Sequence, residues 1–463
     1  MNFKTRFRSL KKAKGLVAVL GVIAAPFLVL VVGFTIDTGR AFLVQAKLFT
    51  AVDAAAIAAA RAVSEGENAA RTAASKLFAA NLPQDYHGSS STTPNLAFAY
   101  DESGNISIDV NASVDMDTMF LGMIGMSTLP VAAEAQTIRR PVDLVLVVDN
   151  TTSLRFGSVG DVTQDVITRS KEFIGNFNEN FDRVALVKFA FGAEVPVSFR
   201  STRGHSRRSL NSAIDDFQFG SLSDPQFTNS SEGVYRALDA LRNINDPASL
   251  KVIVFFTDGA PNTFSSNFDF TRTRTNYTGS IISGDSSSGT PWGLWNHRSV
   301  NSDLSGTANQ GSRISSRLAS LPTYYNAHDS DDNEFRVLNP DHSNRPVTQY
   351  RRRSHDASDL YDRVNRVSRN LVEDMAEAAR QEGIYVFTLG LGSSLTGTAG
   401  PDNEIGEDLL LRMANDPRIL DDPNLASDYR ASQLEGVYCH AIDERAIGPC
   451  FDKMLDVIIR LTL

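Results

Sequence analysis

Cysteine is nearly absent from this 463-residue chain, which has only Cys439 and Cys450. Two cysteines cannot staple a disulfide-dense scaffold, and their spacing fits no zinc pattern. In an oxidising compartment they can close one small loop; the alternative is two isolated thiols. Histidine is also sparse: His87, His205, His297, His328, His342, His355 and His440 are scattered and form no helix-spaced metal pair. The chain lacks a nucleophile elbow, a phosphate loop and a dinucleotide fingerprint. Those absences remove the usual sequence signs of hydrolase and nucleotide chemistry. A Ser-His-Asp triad assembled from distant segments stays open, though no residue points to one. The stretch Asp329 to Glu334 begins like a calcium loop. It has Glu334 where that loop needs glycine and Pro340 where it needs glutamate, so it reads as a solvated acidic stretch.

Charge of one sign is missing from the N-terminus. Lys4, Arg6, Arg8, Lys11, Lys12 and Lys14 precede any acidic residue. Removing those six positives from a formal net charge of −9 leaves the remainder at −15. Such a remainder is a poor nucleic-acid binder. The short basic run Arg351 to Arg353 reads as a solvated face. From Gly15 to Ile36 no charge occurs at all. About 22 apolar residues span a bilayer as a helix, and the basic stretch before them places residues 1–14 in the cytoplasm and the rest outside. A cleaved signal peptide is the rival reading. The run is long for one, no clean small-x-small cleavage site follows, and a helical pattern continues beyond it. Pro26 lies inside the run, where membrane helices tolerate proline.

Residues 37 to about 82 read as one helix leaving the membrane, with an apolar stripe through Phe42, Ala46, Phe49, Val52, Ala56 and Ala60. Leu82-Pro83 and Gly88-Ser-Ser-Ser end it. Asn95–Tyr100, Ile106–Val114 and Leu129–Ala135 alternate apolar and polar residues as short antiparallel strands, with an apolar Met119–Met126 among them. This helix-then-strands plan is that of pilin-like subunits.

Beyond Arg140 the pattern changes to helices alternating with apolar strands, the sign of an α/β doubly wound sheet. Two of these strands end in aspartate: Asp143-Leu-Val-Leu-Val-Val-Asp149 and Lys251-Val-Ile-Val-Phe-Phe-Thr-Asp258. Near-continuous apolar runs read as parallel strands buried on both faces. Open parallel sheets bind ligands outside the carboxyl ends of their strands. The first run continues as Asn150-Thr151-Thr152-Ser153, the second as Gly259, and Thr228 stands just before a third segment, a helix near Ser230–Asn243. Asp149, Thr151, Ser153, Thr228 and Asp258 thus offer an all-oxygen site, which suits a hard divalent cation such as Mg²⁺. Between about 262 and 356 lies an insertion rich in Ser, Asn, Asp and Arg, with few periodic segments. It leaves the core beside Asp258, so it either covers the site or is a solvated excursion. Trp292 and Trp295 lie within it, as packing anchors or as a binding hot spot.

On these residues the chain resembles the von Willebrand factor A (vWA) domain and its metal-ion-dependent adhesion site, whose pattern is Asp-x-Ser-x-Ser, a threonine, and an aspartate in a Thr-Asp-Gly turn. Thr151 stands where serine is usual and keeps the hydroxyl. The resemblance implies that Thr151, Ser153 and Thr228 bind the metal directly, that Asp149 and Asp258 often act through water, and that a partner's carboxylate completes the shell. Mn²⁺ or Ca²⁺ are alternatives to Mg²⁺.

The N-terminal segment Gly15-Leu-Val-Ala-Val, Phe34-Thr-Ile-Asp37-Thr-Gly39-Arg40 and Leu48-Phe-Thr-Ala-Val-Asp53-Ala-Ala-Ala56 resembles TadG-like proteins of Flp (tight-adherence) pilus assembly, many of which carry a vWA domain. No glutamate follows within the apolar run as a processed prepilin requires, so the chain reads as anchored. The two resemblances imply a TadE/TadG-like pilin-like region over 37–139 and a vWA domain over 140–463. They imply a single-pass inner-membrane protein with its bulk in the periplasm. They also imply that it is a binding protein and not an enzyme, assembling or anchoring pili by gripping other pilus-assembly proteins or pilins through an acidic side chain. A surface adhesin or envelope-binding module is the alternative, and a hydrolase a remote one.

Overall fold

The computed structural model describes residues 14–101, 104–220, 227–270, 276–283, 291–302, 304, 312–313, 318–328, 333–351 and 354–462. The basic tip 1–13, Asp329 to Asp332 of the calcium-loop-like stretch, and Arg352-Arg353 lie outside the described residues. Two compact units form, one from Met1–Asp101 and Ile106–Arg139 and the other mainly from Arg140–Thr462.

In the first unit, α1 runs from Lys14 to Ala62 with Pro26 inside it. It is the one helix among the described residues long and apolar enough to cross a membrane. Its N-terminal stretch shows its side chains outward: Val22, Phe27, Leu28 and Val31 are all exposed. Past Asp37 the helix acquires a buried stripe of small residues: Ala51, Ala55, Ala56, Ala59 and Ala60. Small side chains let α2 (Glu67–Asn81) pack along α1 through Ala70, Ala74 and Phe78. The continuous helix expected to residue 82 is therefore two. Gly66, at φ 111°, supplies the left-handed turn between them, a conformation that costs a side-chain-bearing residue. Strands β1 (Asn95–Tyr100), β2 (Ile106–Asp117) and β3 (Thr128–Arg139) form an antiparallel sheet in that order. β2 alternates buried and exposed residues along most of its length, its Ile108, Val110, Val114 and Met116 facing inward, and β2 and β3 both contact α1.

The second unit begins with β4 (Val142–Asp149), whose eight residues are all buried. It is followed by α3 (Ser153–Phe156), α4 (Thr163–Gly175), β5 (Arg183–Phe189), β6 (Ala193–Val197), α5 (Arg207–Asp215), α6 (Ser230–Arg242) and β7 (Leu250–Thr257). The insertion then supplies β8 (Thr263–Phe270), β9 (Asn276–Ile282), β10 (Trp292–Trp295), β11 (Ser312–Arg313) and β12 (Leu318–Ser320). The chain returns to the core with α7 (Ala357–Gln381) and β13 (Ile384–Leu391), a small pair β14 (Thr398–Ala399) and β15 (Glu404–Ile405), then α8 (Gly406–Ala414), β16 (Tyr438–Ala441) and α9 (Glu444–Thr462). The central sheet has the order β16-β13-β7-β4-β5-β6, parallel except for the antiparallel edge β6. β4 is the first strand of this sheet in chain order, β5 lies on one side of it and β7 on the other, so the strand order reverses between β4 and β7.

Alternation along β4 divides the core. Val145 and Val147 pack with α6, α7 and α8; Leu144, Leu146 and Val148 pack with α4, α5 and α9. A disulfide joins Cys439 in β16 to Cys450 in α9. The insertion is not a structureless excursion. Its strands make a second sheet, β11-β10-β9-β8-β12, and Phe264, Phe268, Phe270, Ile281 and Leu294 belong to the same core cluster as Leu238 of α6 and Leu371 of α7. Trp295 stacks on Phe191 at 4.4 Å between ring centres, whereas Trp292 is 45% exposed.

Candidate metal centre

The reversal point between β4 and β7 is where an open parallel sheet leaves a crevice, and the carboxyl ends of those two strands deliver Asp149 and Asp258. Asp149 is fully buried. Its Oδ1 accepts a hydrogen bond from Thr151 N at 2.8 Å and its Oδ2 one from Thr257 Oγ1 at 2.6 Å. Asp258 accepts from Ser153 Oγ at 2.6 Å, and Ser153 Oγ lies 2.8 Å from Thr151 Oγ1. Thr228 reaches the same place from another direction: a methyl group added at Gly259 would sit 3.5 Å from Thr228 Oγ1. The structure thus brings together all five residues singled out from the sequence, on three separated segments.

Two further residues set this geometry without having been singled out. Thr257 orients Asp149, and its signal was its place directly before Asp258. Asn262 fixes Thr228: its Oδ1 accepts from Thr228 N at 3.0 Å and its own N donates to Thr228 O at 3.1 Å. No sequence pattern marks Asn262. The next residue, Asn229, caps α6 by accepting from Glu232 N. Its amide also donates to Phe191 O at 2.8 Å and to Ser265 Oγ of β8 at 2.9 Å. The inserted sheet therefore holds the start of α6, and with it the backbone of Thr228.

The electrostatics are those of two carboxyls crowded together out of water. Burial first, and the charge of Asp149 second, push the Asp258 carboxyl up to about 8, against the hydrogen bond from Ser153. Burial pushes Asp149 up too, against the donors Thr151 and Thr257. Among the described residues no three His, Cys, Asp or Glu side chains converge as a metal cluster; the donors here are two carboxylates and three hydroxyls. That set contains no sulfur or imidazole, and both of its carboxyls are buried. Both properties fit a hard divalent cation.

Two family models match segments of the chain. Residues 143–276 match the von Willebrand factor type A domain, and residues 15–62 match the putative Flp pilus-assembly TadE/G-like family. No curated protein resembles the chain closely enough to count as a match. Among solved structures, proximal thread matrix protein 1 from the mussel byssus aligns at 12% identity over 69% of this chain and 46% of its own, with a TM-score of 0.33. The pilus adhesin SpaC from Lactobacillus rhamnosus GG aligns at 14% identity over 80% of this chain and 35% of its own, TM-score 0.38. The vWF domain of the type V pili tip protein Mfa5 from Porphyromonas gingivalis aligns at 14% identity over 71% and 98%, TM-score 0.39. The chain thus spans less than half the length of the first two proteins. The chain carries a TadE/G-like pilus-assembly segment at 15–62 followed by a von Willebrand factor type A domain that includes Asp149, Thr228 and Asp258.

Proposed function

We propose that this protein is a membrane-anchored component of Flp/Tad-type pilus assembly whose vWA domain grips a protein partner through a divalent cation. The observation that carries the reading is the buried Asp149–Asp258 pair, ringed by the hydroxyls of Thr151, Ser153 and Thr228, at the point where strand order reverses. Those five residues would hold the cation, most naturally Mg²⁺. The bound cation supplies a coordination position that an acidic side chain of a pilin or assembly protein fills. The chain's own residues do the rest: Thr257 and Ser153 aim the two carboxylates, and Asn262 with the inserted sheet keeps Thr228 in register. α1 anchors the chain, with the vWA domain outside the cytoplasm, where a Cys439–Cys450 disulfide persists.

Calorimetric titration of the purified chain with Mg²⁺ and Mn²⁺, wild type against Asp149→Ala, tests the site. A metal-dependent pull-down of pilus components follows. Asp149→Ala and Thr228→Ala are expected to abolish both metal binding and pilus assembly. If both variants left both activities unchanged, the reading would fail. Display of the vWA domain on the surface of intact cells would favour an adhesin instead.

A further inference from the structure

Asp37 is the first charged residue after the apolar run of α1, and it is completely buried. A carboxylate at the edge of a membrane span is costly unless donors cover it. Here one segment covers it: Met119 N donates to Asp37 Oδ1 at 2.9 Å, and Phe120 N and Leu121 N donate to Oδ2 at 2.9 and 2.8 Å. Arg40, 3.5 Å from Asp37, donates to the carbonyls of His87 and Asp117, and so ties down the start of the same loop. Phe120 sits directly on Gly33, where a methyl group would approach the Phe120 Cβ to 2.4 Å. The four residues from Gly33 to Asp37 rise about 6 Å along a helix. The loop is thus clamped alongside the last turn of the apolar run, not beyond it.

What the loop presents outward is apolar. Met119, Met123, Ile124 and Met126 are 66, 63, 56 and 48% exposed, and no charge occurs from Thr118 to Ala133. Exposed contiguous apolar surface of this kind marks an interaction site. Phe120 of the loop lies against Gly33 within the apolar run of α1, so the solvent that receives that turn of α1 also receives the loop. Flexible Met side chains suit a disordered apolar medium.

We infer that the loop Met119–Met126 is a second membrane contact, dipping into the interface of the bilayer that α1 spans, with Asp37 and Arg40 as the clamp that sets its depth. The inference rests on reading α1 as a membrane span. Its partner is the lipid surface itself.

The test is a nitroxide label placed on the full chain in phosphatidylethanolamine/phosphatidylglycerol vesicles at Met123→Cys, Leu28→Cys or Asn111→Cys, the native cysteines being bonded to each other. Relaxation by oxygen, which concentrates in lipid, is compared with relaxation by a nickel chelate, which stays in water. The label at position 123 is expected to shift its collision ratio toward oxygen, in the direction of position 28, while position 111, an exposed position of β2, stays nickel-accessible. A nickel-accessible position 123 beside a lipid-like position 28 overturns the inference and leaves the anchor standing. A position 123 shielded from both reagents means that protein, such as a second copy, covers the loop, and also overturns it. A nickel-accessible position 28 removes the span, and the inference with it.

Discussion

The two ends of β4 each carry a fully buried aspartate, and they are answered in opposite ways. Asp143 faces guanidinium groups: Arg183 Nη1 at 3.5 Å and Arg203 Nη1 at 3.6 Å, with Ala248 N donating at 2.6 Å. Asp149 meets hydroxyls, backbone N–H groups and a second carboxylate. Burial raises both, but only at the Asp149 end does a neighbouring carboxyl reach about 8 with another anion among the causes. A buried aspartate matched by arginine is a structural pair. Two matched by hydroxyls leave a charge for something from outside to neutralise, which is the mark of a binding site.

This contrast breaks first under Asp143→Ala. Removing the carboxylate leaves the buried charge of Arg183 facing only the dipoles of carbonyls such as those of Asn245 and Asp246, which costs roughly 3–5 kcal/mol. Denaturant midpoints of the full chain should drop accordingly, while the folded fraction still binds Mg²⁺. A loss of Mg²⁺ binding without destabilisation would erase the distinction between the two ends. At the other end the order of effects reverses. Mg²⁺ at about one hundred times its Kd should stabilise the wild type by about 2.7 kcal/mol. In Asp149→Ala that metal-dependent gain should vanish, as read from melting with and without Mg²⁺.

A third buried carboxylate sharpens the comparison. Glu232 of α6 accepts from Tyr325 at 2.5 Å and pairs with His328 at 2.6 Å and Arg236 at 3.3 Å. Burial pushes Glu232 up, but the charge and hydrogen bond of His328 and the charge of Arg236 outweigh it and hold the carboxyl at about 2. His297 lies edge-on to His328 at 5.0 Å, and burial pushes it down to about 4, against the attraction of Glu232. A histidine lowered in the fold binds its proton more readily when unfolded. Its contribution is therefore present above about 6.5 and lost as pH falls toward about 4. Between pH 7 and pH 4.5 the wild type should lose on the order of 2 kcal/mol more than His297→Asn. Equal losses would show that the inserted segment does not dock through this group.

Much of this was legible in the sequence where one physical signal dominated. β4 and β7 are buried on both faces, so they read as unbroken apolar runs ending in aspartate. α7 buries a helical stripe through Leu360, Val364, Val367, Leu371 and Met375, and β13 is a nearly unbroken apolar run. The inserted sheet was missed because its strands are polar by composition. Phe264, Phe268 and Phe270 do keep the two-residue spacing of a half-buried strand. Ser265, Ser266 and Asn267 between them hide it; the hydroxyls of Ser265 and Ser266 are bonded to the side chains of Asn229 and Asn326. The break at Gly66 was missed because alanine-rich helices on both sides share one pattern. The candidate site residues were legible because each ends, begins, shortly precedes or directly follows an element. Asn262 was not, since its role depends on a contact across 34 residues.

The smallest effect probes the one departure from the vWA pattern. Thr151 is buried, and its hydroxyl lies 2.8 Å from that of Ser153. If the hydroxyl is the ligand, Thr151→Ser keeps it and removes only a buried methyl. That costs about 0.8 kcal/mol of stability, while Mg²⁺ affinity should stay within about threefold, roughly 0.6 kcal/mol. Thr151→Val does the reverse, keeping the volume and deleting the oxygen, and Mg²⁺ binding should be lost. Titration of the two variants side by side separates ligand from packing. Should Thr151→Val bind Mg²⁺ as the wild type does, Thr151 belongs with Asp143 among the structural residues, and the site contracts to Ser153, Thr228 and the two aspartates.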